Sequence, residues 1–375
     1  MAATTAETRN FNAGRLRVAR LFQGLTQVEL SGRVGVSQAY VHHLETGSRQ
    51  QPTPILVEGL AEALWVSTAF LYLPSPRVEF RDEDCAFRRR ATTSLGERLR
   101  VLAHGTLFAE LVEELEQYVE LPEPEVPQVR VSTRSDIEHA AEACRRAWGI
   151  PLDAPIGNIT RVLENAGVVV TRFEASADRI DAFSRAGDRD IIVLNTDKGS
   201  TSRARYDCAH EAGHLVMHRG METGTAERED EANFFAAALL LPRAAFVREF
   251  GYQPRVSWAQ MLDLKARWRV SLAAMIRRAY DLQLIGASEY RRANIDLRQR
   301  MYPREPGEPP DEAPELLGIA LEAVAETRGL RCFDLAESLG WSAALFERVT
   351  GITAPRDDSG AVVAIEGARR RRQNK

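Results

Sequence analysis

His210-Glu211-Ala212-Gly213-His214, followed after a short glycine-containing loop by Glu229-Asp230-Glu231-Ala232-Asn233-Phe234-Phe235, is the heart of the stretch from Arg203 to Pro242. On a helix with a period near 3.6, His210 and His214 fall one turn apart on one face, so both imidazoles reach a single metal ion. Glu211 lies beside that face, placed as general base toward a water that the metal activates. With 7 His in 375 residues, an H-E-x-x-H match arises by chance in about one such chain in a hundred. A zinc site also needs a third protein ligand and a second element to carry it. Glu229, Ala232, Asn233 and Ala236 share one face of the next helix, whose apolar body is Phe234, Phe235, Ala238, Leu239 and Leu241 and whose end is Pro242. Glu229 is the choice for third ligand, because it opens the helix above small Ala232 and Ala236. Glu231 is the rival, and a solvated first-turn glutamate suits either acid equally well when taken alone.

Taken together, Arg203, Ala209-His210-Glu211-x-Gly213-His214, Glu229-x-x-Ala232-Asn233-x-Phe235-Ala236 and Leu239-Leu240-Leu241-Pro242 resemble the ImmA/IrrE family of zinc metallopeptidases. Matched residue by residue, the resemblance implies His210, His214 and Glu229 as Zn2+ ligands and Glu211 as catalytic base. It implies as substrate a helix-turn-helix repressor, which peptidases of that family characteristically cleave. Nearby, Arg203 can pair with Asp207 at i+4 and, like His218, is a candidate to support the ligands from behind. His218 continues the ligand face, where distance along the helix favours a rim or supporting histidine over a fourth ligand or an oxyanion donor. Cys208 reads as a small packing residue.

Ahead of the motif, Ser135 to Trp148 and Ile156 to Ala166 read as helices. Val168 to Phe173, Asp181 to Arg185 and Ile191 to Leu194 read as strands of a small, mainly antiparallel sheet. A zincin-like half-domain fits this order, and a sheet edge could hold a peptide extended over the metal. Helices at Trp258 to Trp268 and Leu272 to Leu284 complete that core.

The N-terminal segment, Phe11 to about Pro74, reads as short helices with tight connections. Thr26 caps one helix, Gly35 breaks it, and Ser37 caps the next, which Gly47 stops. Leu25-Thr26-Gln27, Leu30, Val34-Gly35-Val36-Ser37, Tyr40-Val41, Leu44-Glu45-x-Gly47-x-Arg49 and Pro52 resemble the XRE, or lambda-repressor-like, helix-turn-helix family. That resemblance implies that Gln38, Ala39 and His42 meet base edges in the major groove of a double-stranded DNA operator, and that Gln27, Ser37 and Arg49 contact phosphates. It also implies a homodimer on a palindromic site. The segment to Arg77 holds seven arginines and five glutamates, only mildly basic, and a helical docking module is the alternative.

A formal net charge of −4, 44% hydrophobic residues and four scattered cysteines describe an ordinary protein of two or three domains without a disulfide framework. No apolar run matches a membrane span or a signal peptide, so the expected compartment is the cytoplasm. The expected fold class is mainly α with a small β-sheet (α+β). Its domains are a helix-turn-helix domain over 1–77, a helical acidic linker over 78–130 with an acidic helix from Glu110 to Glu120, a metallopeptidase domain over 131–300, and a Pro-rich linker, small helical unit and basic tail over 301–375. The expected function is a DNA-binding transcriptional regulator whose zinc endopeptidase domain cleaves a repressor or other protein partner. The alternatives are a regulator using the peptidase-like domain only as a sensor or interaction module, and an antitoxin or phage-immunity component.

Overall fold

The computed structural model describes residues 10–48, 51–81, 94–173, 182–195, 199–221, 224–301 and 305–353. Arg49, the Arg88 to Arg90 run and the tail at Arg369 to Arg372 lie outside the described residues. The architecture is mainly α with one small sheet, as the patterning predicted.

Four short helices build the N-terminal unit: α1 (Ala13–Phe22), α2 (Gln27–Val34), α3 (Gln38–Glu45) and α4 (Pro54–Leu64), followed by a 3-10 turn at Thr68–Tyr72. Asn12, Thr26, Ser37 and Thr53 cap the four N-termini with side-chain oxygens, and Gly35, at a φ of 68°, supplies the left-handed residue that ends α2. Helices this short are marginal alone. They persist because Leu16, Leu30, Val41, Leu44, Leu60 and Leu64 are buried together.

The next helix corrects the sequence reading. The stretch from Glu110 to Glu120 enters only at the end of α5 (Leu95–Leu115), and every residue from Val101 to Ala109 is buried. Those residues are apolar nearly all round, the mark of a core helix rather than a linker with a solvated face. Even the acidic end is engaged, since the Arg15 guanidinium donates to both oxygens of Glu110 at 2.7 and 2.5 Å.

A second core follows. α6 (Arg134–Ala147) and α7 (Ile159–Asn165) precede β1 (Val169–Phe173), β2 (Ala182–Arg185) and β3 (Ile191–Asn195), in the order β1-β3-β2. β1 runs parallel to β3, with Val169 opposite Ile191, and β2 antiparallel to it, with Phe183 opposite Val193. The sheet is therefore mixed, not mainly antiparallel. All five residues of β3 are buried, which suits its continuous apolar run to the centre and leaves β2, with Ser184 and Arg185, at an edge.

Two longer helices then pack face to face, α8 (Thr201–Met217) and α9 (Ala226–Leu240). Their approach is close enough that a Cβ on Gly213 would stand 3.0 Å from the Phe235 ring. α10 (Arg243–Phe250), α11 (Trp258–Trp268), α12 (Leu272–Asp281) and α13 (Ala287–Met301) close this core over Phe246, Met261, Trp268 and Met275. Within it, Arg278 of α12 donates to both oxygens of Glu138 of α6 at 2.7 and 2.8 Å, and to Leu241 O at 3.1 Å.

The Pro-rich stretch expected as a linker is instead a strap of carboxylates at 305–315. Glu305 accepts from Leu272 N at 2.8 Å, Glu308 from Ser202 N at 2.9 Å, and Glu312 from Ile159 N at 2.8 Å. The first turns of α12, α8 and α7 are thereby capped by acids distant in sequence. Asp311 and Glu315 meet Arg172 and Arg161, and Glu312 meets the buried Arg205.

Past the strap, α14 (Leu316–Arg328), α15 (Cys332–Ser338) and α16 (Ala343–Thr350) form the expected small helical unit. It packs back on the N-terminal helices: Ser67 N donates to Gly340 O at 2.8 Å, and the Arg348 guanidinium lies over the rings of Phe22 and Trp65 at 5.2 and 5.0 Å. Leu321, Val324, Phe346 and Val349 join the same core as Leu16 and Phe70. Among the described residues, no helix is long and apolar enough to cross a membrane.

Candidate metal centre and DNA-reading head

Ser200 caps α8, and the Glu308 carboxylate reinforces its first turn, so the helix arrives rigidly at His210, Glu211 and His214, all three buried. Thr225 caps α9, which places Glu229 in the first turn facing them. Glu229 Oε2 lies 3.5 Å from His210 Nε2, Glu229 Oε1 lies 3.4 Å from His214 Nε2, and the two Nε2 atoms are 3.1 Å apart. Donors around a tetrahedral zinc with bonds of about 2.0–2.1 Å stand about 3.3–3.4 Å apart. The spacing of the three ligand atoms is close to that value.

A second observation bears on the fit. Both carboxylate oxygens of Glu229 are buried and make no hydrogen bond of good geometry; they face the imidazole nitrogens of His210 and His214 at 3.5 and 3.4 Å, an arrangement that a cation among the three would complete. The residues present therefore fit a zinc ion held by His210, His214 and Glu229, which among the described residues form the one group of His, Cys, Asp and Glu side chains suited to a metal. Glu231, the rival ligand, sits two residues further along α9, about 200° around the helix. Its Oε2 lies 2.9 Å from His218 Nε2 instead.

Glu211 points to β2, where the Ser184 hydroxyl donates to its Oε2 at 2.6 Å. Burial pushes the Glu211 carboxyl well above its ordinary range; the Ser184 bond opposes this, while Glu229 and Asp207 add to it. Burial lowers His214 and His218. Burial acts upward on Glu229 too, but His210 and His214 outweigh it and hold that carboxyl well below the usual range.

The remaining predicted residues divide. His218 is at the centre, with its Nδ1 3.0 Å from His214 Nδ1. Arg203 is not; it stands 3.8 Å from Asp207, as its i+4 spacing suggested. Both line a cavity of about 540 Å³ with Tyr206, Asp230, Asn233 and Phe234. Because Asp207 precedes His210 by a turn and Asp230 follows Glu229, this cavity flanks the triad. Cys208 is fully buried and its thiol is pushed up to about 12 by burial, as befits a packing residue. Ser184 escaped the sequence reading. Strand alternation puts it on the face of Ala182, but nothing local names its partner.

In the N-terminal unit, α3 exposes Ser37, Gln38, Ala39 and His42. Gln38 Nε2 donates to Gln27 Oε1 at 2.8 Å, Gln27 Nε2 donates to Glu45 Oε2 at 2.8 Å, and Arg20 clamps Glu45 at 2.5 and 2.8 Å. The chain of bonds orients the Gln38 amide at the start of α3. The Ser37 hydroxyl caps that helix by accepting from Tyr40 N.

Comparisons with known proteins bear on both halves. A family model described as a helix-turn-helix domain matches residues 13–69. A protein of Sinorhizobium fredii described as the uncharacterized HTH-type transcriptional regulator y4dJ is 44% identical over 69 residues, 18% of this chain and 84% of the relative. The chain belongs to the helix-turn-helix regulators. In this regulator a second family model, described as the IrrE N-terminal-like domain, matches residues 163–280. That span runs from within α7 into α12 and contains the sheet, His210, Glu211, His214 and Glu229.

Proposed function

We propose that this regulator binds an operator through α3 and that its IrrE-like domain is a zinc-dependent endopeptidase acting on a protein partner, a repressor first among them. The observation that carries the enzymatic half is the convergence of two buried Glu229 oxygens, without well-formed hydrogen bonds, on two imidazole nitrogens, beside a glutamate held by Ser184. Zinc, when bound by His210, His214 and Glu229, supplies Lewis-acid activation of water and of a peptide carbonyl. Glu211 takes the proton from the water and delivers it to the leaving amine. Ser184 fixes the position of the Glu211 carboxyl by donating to its Oε2. β2 is the sheet edge packed against α8, so a peptide adding to it as a strand would pass Glu211.

On DNA, Gln38, Ala39 and His42 read bases, Gln27, Ser37 and Arg49 hold phosphates, and two copies pair on a palindromic site. A second reading, of the domain as a sensor, is favoured by one observation: Phe22 of α1, His104 of α5 and Phe173 of β1 stand ring to ring at 6.0 Å each, so reading head and sheet share a core. Glu211→Gln separates the two readings. The enzyme reading expects zinc and DNA binding to persist while cleavage of the partner stops; a variant that alters neither cleavage nor regulation would leave only the sensor.

A further inference from the structure

We infer that His218 and Glu231 are positioning residues that hold His214 in the one tautomer able to bind a metal. The inference rests on the metal-centre reading above. Glu231 Oε2 lies 2.9 Å from His218 Nε2, and His218 Nδ1 lies 3.0 Å from His214 Nδ1. Both histidine side chains are buried and that of Glu231 is three-quarters covered, so the partners available to these nitrogens are one another.

The direction of the two bonds follows from counting protons. An ionised carboxylate only accepts, so the proton between Glu231 and His218 belongs to His218 Nε2. A His214 that offers Nε2 to a metal keeps its proton on Nδ1, so His218 must accept at Nδ1 and carry its single N–H on Nε2, the nitrogen that faces Glu231. His214 Nε2 is then left with its lone pair, aimed at the position that His210 Nε2 and Glu229 also face. Without Glu231 the order can reverse. His218 would donate from Nδ1, His214 would accept at Nδ1, and its proton would move to Nε2, where it blocks the ligand position. Orientation of a ligating histidine through its far nitrogen is the general means by which proteins tune a metal site; here the task is shared by a second histidine and a carboxylate one turn and one helix away.

The relay also explains why α9 carries acids at both 229 and 231. The first faces the triad, and the second, on another side of the helix, reaches His218 where α8 ends.

The test is a competition titration of Zn2+ into the metal-free full-length chain against a chromophoric chelator, at one pH, for wild type, Glu231→Leu, Glu231→Gln and His218→Phe. Glu231→Leu and His218→Phe should bind zinc about 10–100-fold more weakly. Glu231→Gln, which keeps an acceptor oxygen, should stay near wild type. Long-range 1H–15N spectra of histidine-labelled, zinc-loaded protein give a readout that mere loss of packing would not move: His214 should show Nδ1–H with Nε2 bound in wild type and Glu231→Gln. Equal affinity in all four proteins, or His214 bound through Nδ1, would overturn the inference alone. No zinc binding by wild type would overturn the metal-centre reading and the relay with it.

Discussion

The reading head and the candidate metal centre of this regulator treat their polar atoms in opposite ways. In the head, Gln38, Gln27, Glu45 and Arg20 bond one to the next, so the network orients the exposed Gln38 amide beside the exposed Ala39 and His42. In the centre, Glu229 brings two buried oxygens that make no well-formed hydrogen bond to within 3.5 and 3.4 Å of two imidazole nitrogens. The difference is instructive because buried polar groups that lack well-formed hydrogen bonds are costly to hold together. The first network fixes the orientation of a surface group, whereas the second gathers buried groups around a position that a cation would complete.

Four changes break or sharpen that comparison. Glu211→Gln is expected to have the largest effect, a loss of about 10²–10⁴-fold in partner cleavage, read from single-turnover assays with zinc content unchanged. The closed networks can be opened deliberately. Arg278→Met strands the buried Glu138 carboxylate, whose partners it removes, and should cost about 3–5 kcal/mol by denaturant unfolding.

His104 tests whether every unpaired buried nitrogen marks a ligand site. Its Nε2 has no partner, and burial, helped by Arg100 and Arg348, lowers its pKa from 6.5 to about 3. A ring that must stay neutral in the native state, but protonates freely when unfolded, contributes its stability in full above about pH 6.5. That stability is lost as the pH falls toward 3. His104→Phe should flatten this part of the pH–stability curve, the difference from wild type growing by about 1.4 kcal/mol per pH unit below pH 6, with no change in metal content. The smallest effect belongs to the head: Gln38→Ala should weaken the operator by about 1–3 kcal/mol and bulk DNA little, measured by titration at fixed salt. A uniform loss over all sequences would place Gln38 on phosphate.

The sequence was most informative where partners are neighbours. Thr26, Gly35 and Ser37 act within a few residues of themselves, so the caps and turn of the head could be read directly, as could His210 and His214, one turn apart. Bringing Glu229 to His210 and His214 required the assumption that its helix turns back on α8, and only the fold shows that Glu231 faces His218 instead. Where partners are distant the sequence was silent. Ser184 meets Glu211 across 27 residues, and Glu312 meets Ile159 N across 153. Those pairings depend on where β2 and the strap are laid down, which no local period encodes. α5 was missed for a related reason: its apolar middle has no polar face to give it a helical rhythm, while the acids at its end do.

The central claim is that His210, His214 and Glu229 hold one metal ion, and elemental analysis of the purified full-length chain tests it most directly. The expected result is about one zinc per chain in wild type and in Glu211→Gln, and none in His214→Ala or Glu229→Ala of unchanged fold. A wild-type chain that stays metal-free when zinc is supplied, or a His214→Ala variant that keeps its zinc, would contradict it.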